Sequence, residues 1–223
     1  MDIQQKENIA FVSDCAFVPI SAGEVLAYMG KRNGELFKVT CLHTEGSVWT
    51  LIQRRVDGSV NFYRGWTEYK NGFGELSSEF WIGLDTIHQL VMNGFTVLRI
   101  ELEMGKESAY AEYSSFYVAG EEDNYRIHVS GYSGTAGDGI SCHGQYCSNN
   151  VQFSTHDNDN DKNSDENSAQ LFKGAWWYNR GHRSNLNGEY GNDNFAKGIN
   201  WYLFKGNKKS LTGSRMMLRR PLM

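Results

Sequence analysis

The sequence of 223 residues predicts an α+β fold, and three observations support that prediction. Short segments in which apolar and polar residues alternate recur through much of the chain, as expected for β-strands. One segment, 86–92, has helical spacing instead. From about residue 131 to residue 200 neither period persists, although large aromatic residues remain frequent. These patterns predict strands, a helix, and a long loop-built region packed around aromatic rings.

The predicted strands follow from this alternation and from the turn residues between them. Segments 49–54 and 60–63 flank the dipeptide Asp57-Gly58. They predict a β-hairpin, because an Asp-Gly turn tolerates the positive φ angles that tight turns need. The other predicted strands are 36–40, 96–103, 109–118, 125–129 and 214–219.

A single helix is predicted between the strands. Asp85 is placed to cap its N-terminus, and Gly94 is placed to end it. Ile87, Leu90 and Val91 fall on one face of the segment, so we expect that face to be buried.

Charge and hydropathy exclude several classes of protein. The formal net charge is −4, and we interpret the basic residues near the C-terminus as a solvated face, so no nucleic-acid partner is expected. No apolar stretch approaches the ~20 residues of a membrane span, so no membrane insertion is expected. The N-terminus lacks the apolar segment of a signal peptide. Two interpretations follow: a cytosolic protein, or a secreted protein whose signal lay upstream.

Four cysteines allow three pairings. Their spacing favours Cys15–Cys41, which would clamp the N-terminal segment, and Cys142–Cys147, which would close a local loop. Two alternatives stay open at this point. Cys142 and Cys147 could belong to a metal site, although further ligands are not evident, or all four thiols could be reduced.

An acidic run is the clearest candidate site. Asp157, Asp159 and Asp161 are spaced two residues apart, and their carboxylates repel one another without a cation. A hard ion such as Ca²⁺ takes six to eight oxygen ligands, which a tight turn can supply. An EF-hand is excluded, because Lys162 and Ser168 stand where that motif needs Gly and Glu. The alternative is a solvated acidic turn.

Catalytic motifs are absent from the sequence. Neither the serine-hydrolase elbow nor the zinc-protease helix motif occurs. The glycine-rich segment 134–139 lacks the ending of a phosphate-binding loop. His182 has no neighbouring nucleophile in the sequence, so by itself it is interpreted as a structural histidine. The chain is therefore expected not to be an enzyme.

Several long motifs identify a family. The chain resembles the fibrinogen-like C-terminal domain, and within it the ficolin- and tachylectin-like lectins, from about Cys15 to the end. The matching segments are 49–66 (WTLIQRRVDGSVNFYRGW), 74–83 (GELSSEFWIG), 131–138 (GYSGTAGD), 173–178 (KGAWWY) and 184–188 (SNLNG).

The resemblance implies an organisation and a location. Residues 1–14 would be an N-terminal tail and residues 15–223 a fibrinogen-like domain. The domain would comprise a small N-terminal subdomain closed by Cys15–Cys41, a central antiparallel sheet with flanking helices, and a loop-rich C-terminal subdomain. It would be secreted and extracellular.

The resemblance also assigns the acidic run to the family's calcium loop. The carboxylates of Asp159 and Asp161 would bind the ion, with backbone carbonyls from Asn163 and Asp165. Asp157 becomes a neighbour that need not touch the ion.

Beside that loop, lectin-like members have a pocket for acetyl groups. The resemblance maps its aromatic walls to Phe172 and Phe195, and an acetyl carbonyl would accept a backbone N–H near Gly181. Fibrinogen's peptide pocket has an Asp where this chain has Ala196, which disfavours a cationic peptide. The mapped ligand-binding residues are Phe172, Arg180, Gly181, His182, Phe195 and Ala196.

Three departures from the family pattern concern this pocket. Ser168 and Gly181 replace the cysteines of the usual second disulfide. The unusual cis bond of the family would fall at Arg180–Gly181 and is expected to relax to trans. As the third departure, Asn207 replaces an aromatic ring. In addition to these three, Cys142–Cys147 is an extra pair that is expected to brace the loop from the other side.

Two functions are carried forward. The first is a calcium-dependent lectin that recognises acetylated glycans in innate immunity, as a homo-oligomer in its full-length form. The alternative is a protein-ligand or receptor-binding module of the angiopoietin-like or tenascin-like type.

Overall fold

The computed structural model describes residues 10–18, 23–30, 34–44 and 46–222. The chain divides into two compact units, Met1–Leu51 and Ile52–Met223. Within the described ranges, no helix is long and apolar enough to cross a membrane.

The first unit is built on strands that neighbour one another in chain order. Strand β1 pairs in parallel with β2, and β2–β3 and β3–β4 are antiparallel. The predicted strand 36–40 is confirmed and extends further, whereas β1 lies inside the segment expected to be a tail. The strands are β1 (Ala10–Val12), β2 (Gly23–Gly30), β3 (Leu36–Thr44) and β4 (Ser47–Arg55), of which β4 continues into the second unit.

A disulfide pins the first unit. Cys15 and Cys41 are bonded and fully buried, with their Cα atoms 5.4 Å apart. Asp14 caps the helical turn at Cys15 by accepting a 3.0 Å hydrogen bond from the Ala16 N–H. The Cys142–Cys147 disulfide is also formed. Both predicted pairings are therefore confirmed, and the alternatives of a cysteine metal site and of free thiols are wrong.

The second unit contains a sheet with the strand order β4-β12-β7-β8-β9 and a separate β10-β11 pair. The pairs β12–β7, β7–β8 and β8–β9 are antiparallel. Its elements are α1 (Trp66–Asn71), β5 (Phe73–Gly74), β6 (Phe80–Trp81), α2 (Leu84–Met92), β7 (Val97–Met104), β8 (Glu107–Val118), β9 (Ile127–Gly134), α3 (Ser168–Leu171), β10 (Ser184–Asn185), β11 (Asn200–Trp201), α4 (Tyr202–Lys205) and β12 (Gly213–Arg219).

Alternation explains why the central strands were predictable. In β7, Leu98, Ile100 and Leu102 are buried, whereas the intervening side chains are partly exposed. The helix α2 lies against β8 and buries its Ile87, Leu90 and Val91 face. The predicted α+β fold is confirmed.

The predicted hairpin at residues 57–58 is wrong. After β4 the chain bends at Asp57-Gly58, but segment 60–63 is not a strand. The buried carboxylate of Glu79 instead accepts hydrogen bonds from the N–H groups of Val56, Asp57, Gly58 and Val60, at 2.8–3.2 Å. Since this one carboxylate satisfies the donors that a second strand would have used, the segment becomes a loop.

The predicted helix cap is also wrong. Helix α2 begins at Leu84 after Gly83, and Asp85 lies within its first turn. The Asp85 carboxylate accepts a 2.5 Å hydrogen bond from the Tyr125 hydroxyl instead of capping the backbone. Local spacing had assigned the Asp85 side chain to the cap, but it bonds to a residue that is distant in sequence.

Region 131–200 has few regular elements, as predicted, and buried indoles hold it together. Trp176, Trp177 and Trp201 are each inaccessible to solvent. Their ring N–H groups donate to the Ser184 hydroxyl, the Tyr125 carbonyl and the carbonyls of 136 and 137, at 2.8–3.2 Å. These hydrogen bonds hold the loop backbone in place without the hydrogen-bond ladder of a β-sheet.

Candidate functional site

The six ligand-binding residues expected from the sequence line one pocket of the second unit. Its volume is about 370 Å³. The lining residues are Tyr146, Phe172, Arg180, Gly181, His182, Arg183, Phe195, Ala196, Tyr202 and Asn207. The sequence analysis did not assign Tyr146, Arg183 or Tyr202 to the pocket, and it noted Asn207 only as a lost ring.

His182 forms the inner part of the pocket. Its ring is buried and lies edge-on to the Phe172 ring, with 4.7 Å between the ring centroids. Nε2 lies 3.0 Å from the Ala196 carbonyl oxygen. A carbonyl only accepts, so Nε2 carries the hydrogen and donates it. The bond therefore fixes both the orientation of the imidazole and its tautomer.

Burial keeps this histidine neutral. It lowers the pKa of His182 from 6.5 to about 4, although the hydrogen bond to Ala196 acts in the opposite direction. Nδ1 is buried and has no hydrogen-bond partner among the described residues. His182 consequently contributes an uncharged ring to the pocket at pH 7.

Next to His182, the pocket is lined by a strained alanine. Ala196 has φ = +65°, in the left-handed region that few non-glycine residues adopt. Its N–H donates a 2.7 Å hydrogen bond to the Asn207 carbonyl, and its carbonyl accepts from His182. Phe195, the preceding residue, is 64% exposed. The two backbone bonds at Ala196 hold that ring at the surface.

Gly181 brings backbone donors to the pocket. Its φ is +106°, and a Cβ at this position would lie 3.2 Å from the Tyr146 ring. The N–H groups of Gly181 and His182 have no acceptor within the part of the chain that the structure describes. The Arg180–Gly181 bond is trans, because none of the described peptide bonds is cis.

The Cys142–Cys147 loop holds this donor segment. The Arg180 N–H donates a 2.8 Å hydrogen bond to the Gln145 carbonyl. The Asn179 side-chain amide donates to the Cys147 carbonyl at 3.1 Å. The same loop places the Tyr146 ring, 47% exposed, beside Gly181. An aromatic residue inside a short disulfide-closed loop was the sequence signal for this wall.

In the acidic loop, Asp157 has a structural role. Its carboxylate accepts hydrogen bonds from the Trp66 N–H at 3.0 Å and from the Thr155 hydroxyl at 2.6 Å. The first of these bonds satisfies a backbone donor at the N-terminus of α1. Both hydrogen bonds are made by one carboxylate oxygen of Asp157.

Asp159 and Asp161 form the centre of the loop. The Asp161 carboxylate accepts from the N–H groups of Asn163 and Ser168, at 2.6 and 2.8 Å. Asp159 accepts from the Asp161 N–H at 3.2 Å. Partial burial, together with the neighbouring Asp161 carboxylate, raises the pKa of Asp159.

The loop fits a hard cation in its donor chemistry. Neither central carboxylate has a Lys or Arg within 4.0 Å in the described ranges. The carbonyls of Asn163 and Asp165 accept no hydrogen bond from any described residue. No group of three or more His, Cys, Asp or Glu side chains with metal-binding geometry occurs among the residues described. An ion here would therefore depend on backbone carbonyls and water as well as on two carboxylates.

Two hydrogen bonds connect the acidic loop to the pocket. The Lys162 N–H donates to the Asn179 carbonyl at 3.1 Å, and the Arg180 Nε donates to the Lys162 carbonyl at 3.2 Å. Ser168 and Gly181, the positions without the usual disulfide, are both buried, and the Ser168 hydroxyl has no described partner. Hydrogen bonds of Lys162 thus connect the acidic loop to residues 179 and 180.

Comparison with known proteins agrees with this architecture. A family model described as "Fibrinogen beta and gamma chains, C-terminal globular domain" matches residues 20–221. Human tenascin-R is 42% identical over 191 residues, covering 84% of this chain and 14% of tenascin-R. Fibrinogen C domain-containing protein 1-B of Xenopus laevis is 45% identical over 193 residues, covering 82% of this chain and 41% of that protein.

Solved structures give the same result. The fibrinogen-like globe domain of human ANGPTL6 has a TM-score of 0.87 and 34% identity, covering 96% of this chain and 98% of that one. Lamprey fibrin D-dimer, complexed with the peptide ligand Gly-His-Arg-Pro-amide, has a TM-score of 0.87 and 32% identity, covering 97% and 76%.

The chain spans less than half the length of the curated relatives described above. Those relatives carry tenascin and fibrinogen C domain-containing names, so the ficolin- and tachylectin-like subtype stays a prediction. The match over most of the chain nevertheless establishes that this protein belongs to the fibrinogen C-terminal domain family.

Proposed function

We propose that this chain is an extracellular recognition module whose pocket binds the acetyl group of a carbohydrate, with Ca²⁺ held in the adjacent acidic loop. The observation that supports this most directly is the convergence of all six mapped residues on one pocket. Two disulfides support an extracellular location, since such bonds persist in oxidising compartments.

The pocket offers both halves of an acetyl group a partner. A methyl group would pack on the rings of Phe172 and Phe195 and on the Ala196 methyl. The acetyl oxygen would accept from the N–H groups of Gly181 and His182, which have no acceptor among the described residues. Each net hydrogen bond of this kind contributes about 1 kcal/mol.

The residues at the pocket disfavour a cationic peptide. The solved lamprey relative binds Gly-His-Arg-Pro-amide, a peptide with a positively charged N-terminus. Here Ala196 provides no carboxylate, His182 is neutral, and Arg180 and Arg183 line the same pocket. A cationic group would meet positive charge without a counter-ion.

For the acidic loop, the proposed ligands are the Asp159 and Asp161 carboxylates and the carbonyls of Asn163 and Asp165. A bound Ca²⁺ would offset the repulsion between the two carboxylates. The loop would then be ordered, and the hydrogen bonds of Lys162 to residues 179 and 180 would hold that pocket segment in place.

A protein-binding function is the second candidate. The tenascin relatives favour it, as does the exposure of several rings around the pocket, namely Tyr146, Phe195 and Tyr202. Aromatic residues are enriched in protein interfaces.

For either function we propose that the chain is not an enzyme, because the described pocket has no nucleophile paired with a base. We also propose that the full-length protein is a homo-oligomer, since multivalency strengthens weak sugar binding.

Retention on acetylated beads tests the proposed function. We expect the calcium-loaded protein to bind acetylated but not underivatised beads, and to be released by N-acetylglucosamine or by EDTA. Phe195→Ala should abolish retention with little loss of stability, because the ring is mostly exposed.

The matched control is Tyr117→Ala, which removes an exposed ring on β8. That variant should be retained like the unmodified protein. If the folded, calcium-loaded protein passes through the acetylated column, acetyl recognition is wrong and the protein-binding alternative is favoured.

A further inference from the structure

The two disulfides differ in how far solvent reaches them. Cys15 and Cys41 are 1% and 0% exposed. Cys147 is 2% exposed, whereas Cys142 is partly exposed, and the four residues between them, 143–146, are all exposed. Thiol–disulfide exchange requires an attacking thiolate to reach one sulfur of the bond. Exposure therefore favours attack at Cys142 and disfavours attack at either sulfur of the first bond.

The surroundings of the exposed loop do not repel an anion. No acidic residue occurs in the sequence between Asp138 and Asp157. The Arg180 N–H bonds to the loop at the Gln145 carbonyl, 2.8 Å away, and Arg180 lines the same pocket as Tyr146. The attacking species is a thiolate anion. A nearby guanidinium favours its approach, and no carboxylate within the loop opposes it.

Both ends of the loop are held without the disulfide. The Asp138 carboxylate accepts hydrogen bonds from the N–H groups of Ile140 and Ser141, at 3.1 and 2.8 Å. On the other side, the Asn149 N–H donates to the Ile140 carbonyl at 3.1 Å, and the Asn149 side-chain oxygen accepts from the Val129 N–H at 2.9 Å. Opening the bond should therefore release the loop and leave the flanking backbone in place.

The loop itself depends on its covalent closure. Within the described ranges, one backbone hydrogen bond lies inside it, from the Cys147 N–H to the Gly144 carbonyl at 3.2 Å. The Gln145 and Cys147 carbonyls accept from the Arg180 N–H and from the Asn179 side-chain amide, at 2.8 and 3.1 Å. Both acceptors would lose their fixed positions if the ring opened.

We infer that the Cys142–Cys147 bond is a thiol-exchange site, which an external protein dithiol of the thioredoxin type opens in the folded protein while Cys15–Cys41 stays closed. Opening releases the pocket segment, residues 179–181, from one of its two supports. The inference concerns the covalent chemistry of the loop, so it does not depend on which ligand the pocket binds.

The exchange balances in two steps. A thiolate of the dithiol attacks Sγ of Cys142 and forms a mixed disulfide, and Cys147 leaves as a thiolate that takes up a proton. The second thiolate of the dithiol then attacks its partner sulfur in the mixed disulfide, and Cys142 leaves and is protonated. The dithiol is oxidised to a disulfide, and the protein gains two electrons, two protons and two thiols. Since the flanks are held and the two Cα atoms lie 5.5 Å apart, the reverse exchange with a disulfide reagent restores the ring.

Thiol labelling tests the selectivity. The folded, calcium-loaded protein is treated with reduced thioredoxin, and free thiols are alkylated over time and located by mass spectrometry. We expect Cys142 and Cys147 to be labelled at least about tenfold faster than Cys15 and Cys41, because access governs the rate. In denaturant this difference should largely disappear. Equal rates at both bonds of the folded protein, or no reduction of the loop bond, would overturn the inference.

A trapping experiment tests the route of attack. Thioredoxin that lacks its second cysteine cannot complete the exchange, so it should accumulate as a mixed disulfide on Cys142. Trapping on Cys147 would overturn the assignment of the attacked sulfur. Cys142→Ser/Cys147→Ser is the control, because it should form no adduct under the same conditions.

Hydrogen exchange tests the consequence for the pocket. In the reduced, folded protein the amides of Cys147 and Arg180 should exchange roughly tenfold faster, since the loop holds both. The Asn149 amide and the β7–β8 ladder should be unchanged, and reoxidation should restore protection. Cys142→Ser/Cys147→Ser should match the reduced protein and should not respond to thioredoxin. Unchanged exchange at Arg180 would overturn the release of the pocket segment, and loss of protection in β7–β8 would overturn local opening.

Discussion

Two loops hold the same pocket segment, residues 179–181, by different means. The 142–147 loop is closed by a disulfide and supplies carbonyls of residues 145 and 147 as acceptors. The acidic loop has no covalent closure and bonds the segment through the backbone of Lys162. The first loop is thus closed by its own covalent bond, whereas the second contains two neighbouring carboxylates whose repulsion the proposed calcium ion would offset. Pocket shape should therefore depend more on calcium than on the disulfide.

Removal of calcium should give the largest effect. With EDTA, we expect the amides of residues 159–182 to lose hydrogen-exchange protection, while the β7–β8 ladder keeps its protection. Asp161→Asn should reproduce this and weaken calcium binding at least ~100-fold, since it removes a proposed ligand and a partner of the Ser168 N–H. Equal exchange with and without EDTA would contradict the proposed role of the ion.

Asp157→Asn tests whether the loss of calcium binding is specific to the proposed ligands. This carboxylate bonds the Trp66 N–H and the Thr155 hydroxyl but is not a proposed calcium ligand. We expect it to lower the thermal midpoint through the N-terminus of α1, with calcium affinity within about threefold of the unmodified protein. A loss of calcium affinity as large as that of Asp161→Asn would show that Asp157 is a direct ligand.

The disulfide variant Cys142→Ser/Cys147→Ser should have a moderate effect. Opening so short a loop is expected to cost about 2 kcal/mol of stability. The affinity for an acetylated ligand should fall, because Gln145 and Tyr146 lose their fixed positions. Thermal melting and ligand titration measure the two quantities separately.

Cys15→Ser/Cys41→Ser is the matched control, since its loop is longer and no first-unit residue lines the pocket. It should cost more stability, about 3–4 kcal/mol. At a temperature where it remains folded, its ligand affinity should be unchanged. If both disulfide variants lose the ligand equally, the bracing role of the 142–147 loop is wrong.

The smallest effect concerns His182. Its folded pKa of about 4 lies below the ordinary value of 6.5, so the unfolded chain binds a proton first as the pH falls. The stability associated with this group should be complete above about pH 6.5 and decline as the pH approaches 4. NMR of the imidazole nitrogens should show a neutral ring with the hydrogen on Nε2 at pH 6. A charged ring at that pH would refute the buried, neutral assignment.

Local patterns predicted one part of this molecule and missed another for physical reasons. The strands β7 and β8 were located because burial largely alternates along them. The hairpin at Asp57-Gly58 failed because the deciding interaction, from Glu79, lies about twenty residues away. Local spacing cannot show which side chain, distant in sequence, will bond to a segment in the folded chain.

The pocket shows the same limit. Phe172 and Phe195 were identified by resemblance to a family, and no local pattern places them together. Tyr146 and Arg183 were missed because the family pattern gave them no role. For Tyr146 the Cys142–Cys147 pair on either side of it was a usable sequence signal. Arg183 could be recognised only from the structure, in which it lines the pocket.

The disulfide-closed loop has a consequence for how ligand preference could diversify. Residues 143–146 are all exposed, yet one of them forms a pocket wall and the backbone of another holds Arg180. Side chains at 143, 145 and 146 are exchangeable at little cost to folding, because the covalent ring maintains the backbone that the pocket requires, whereas Gly144 has φ = +125° and should be kept. Such a segment is a natural position for a sequence library. Randomising residues 143, 145 and 146 would change the shape of the entrance and leave the acidic loop and the buried indoles as they are.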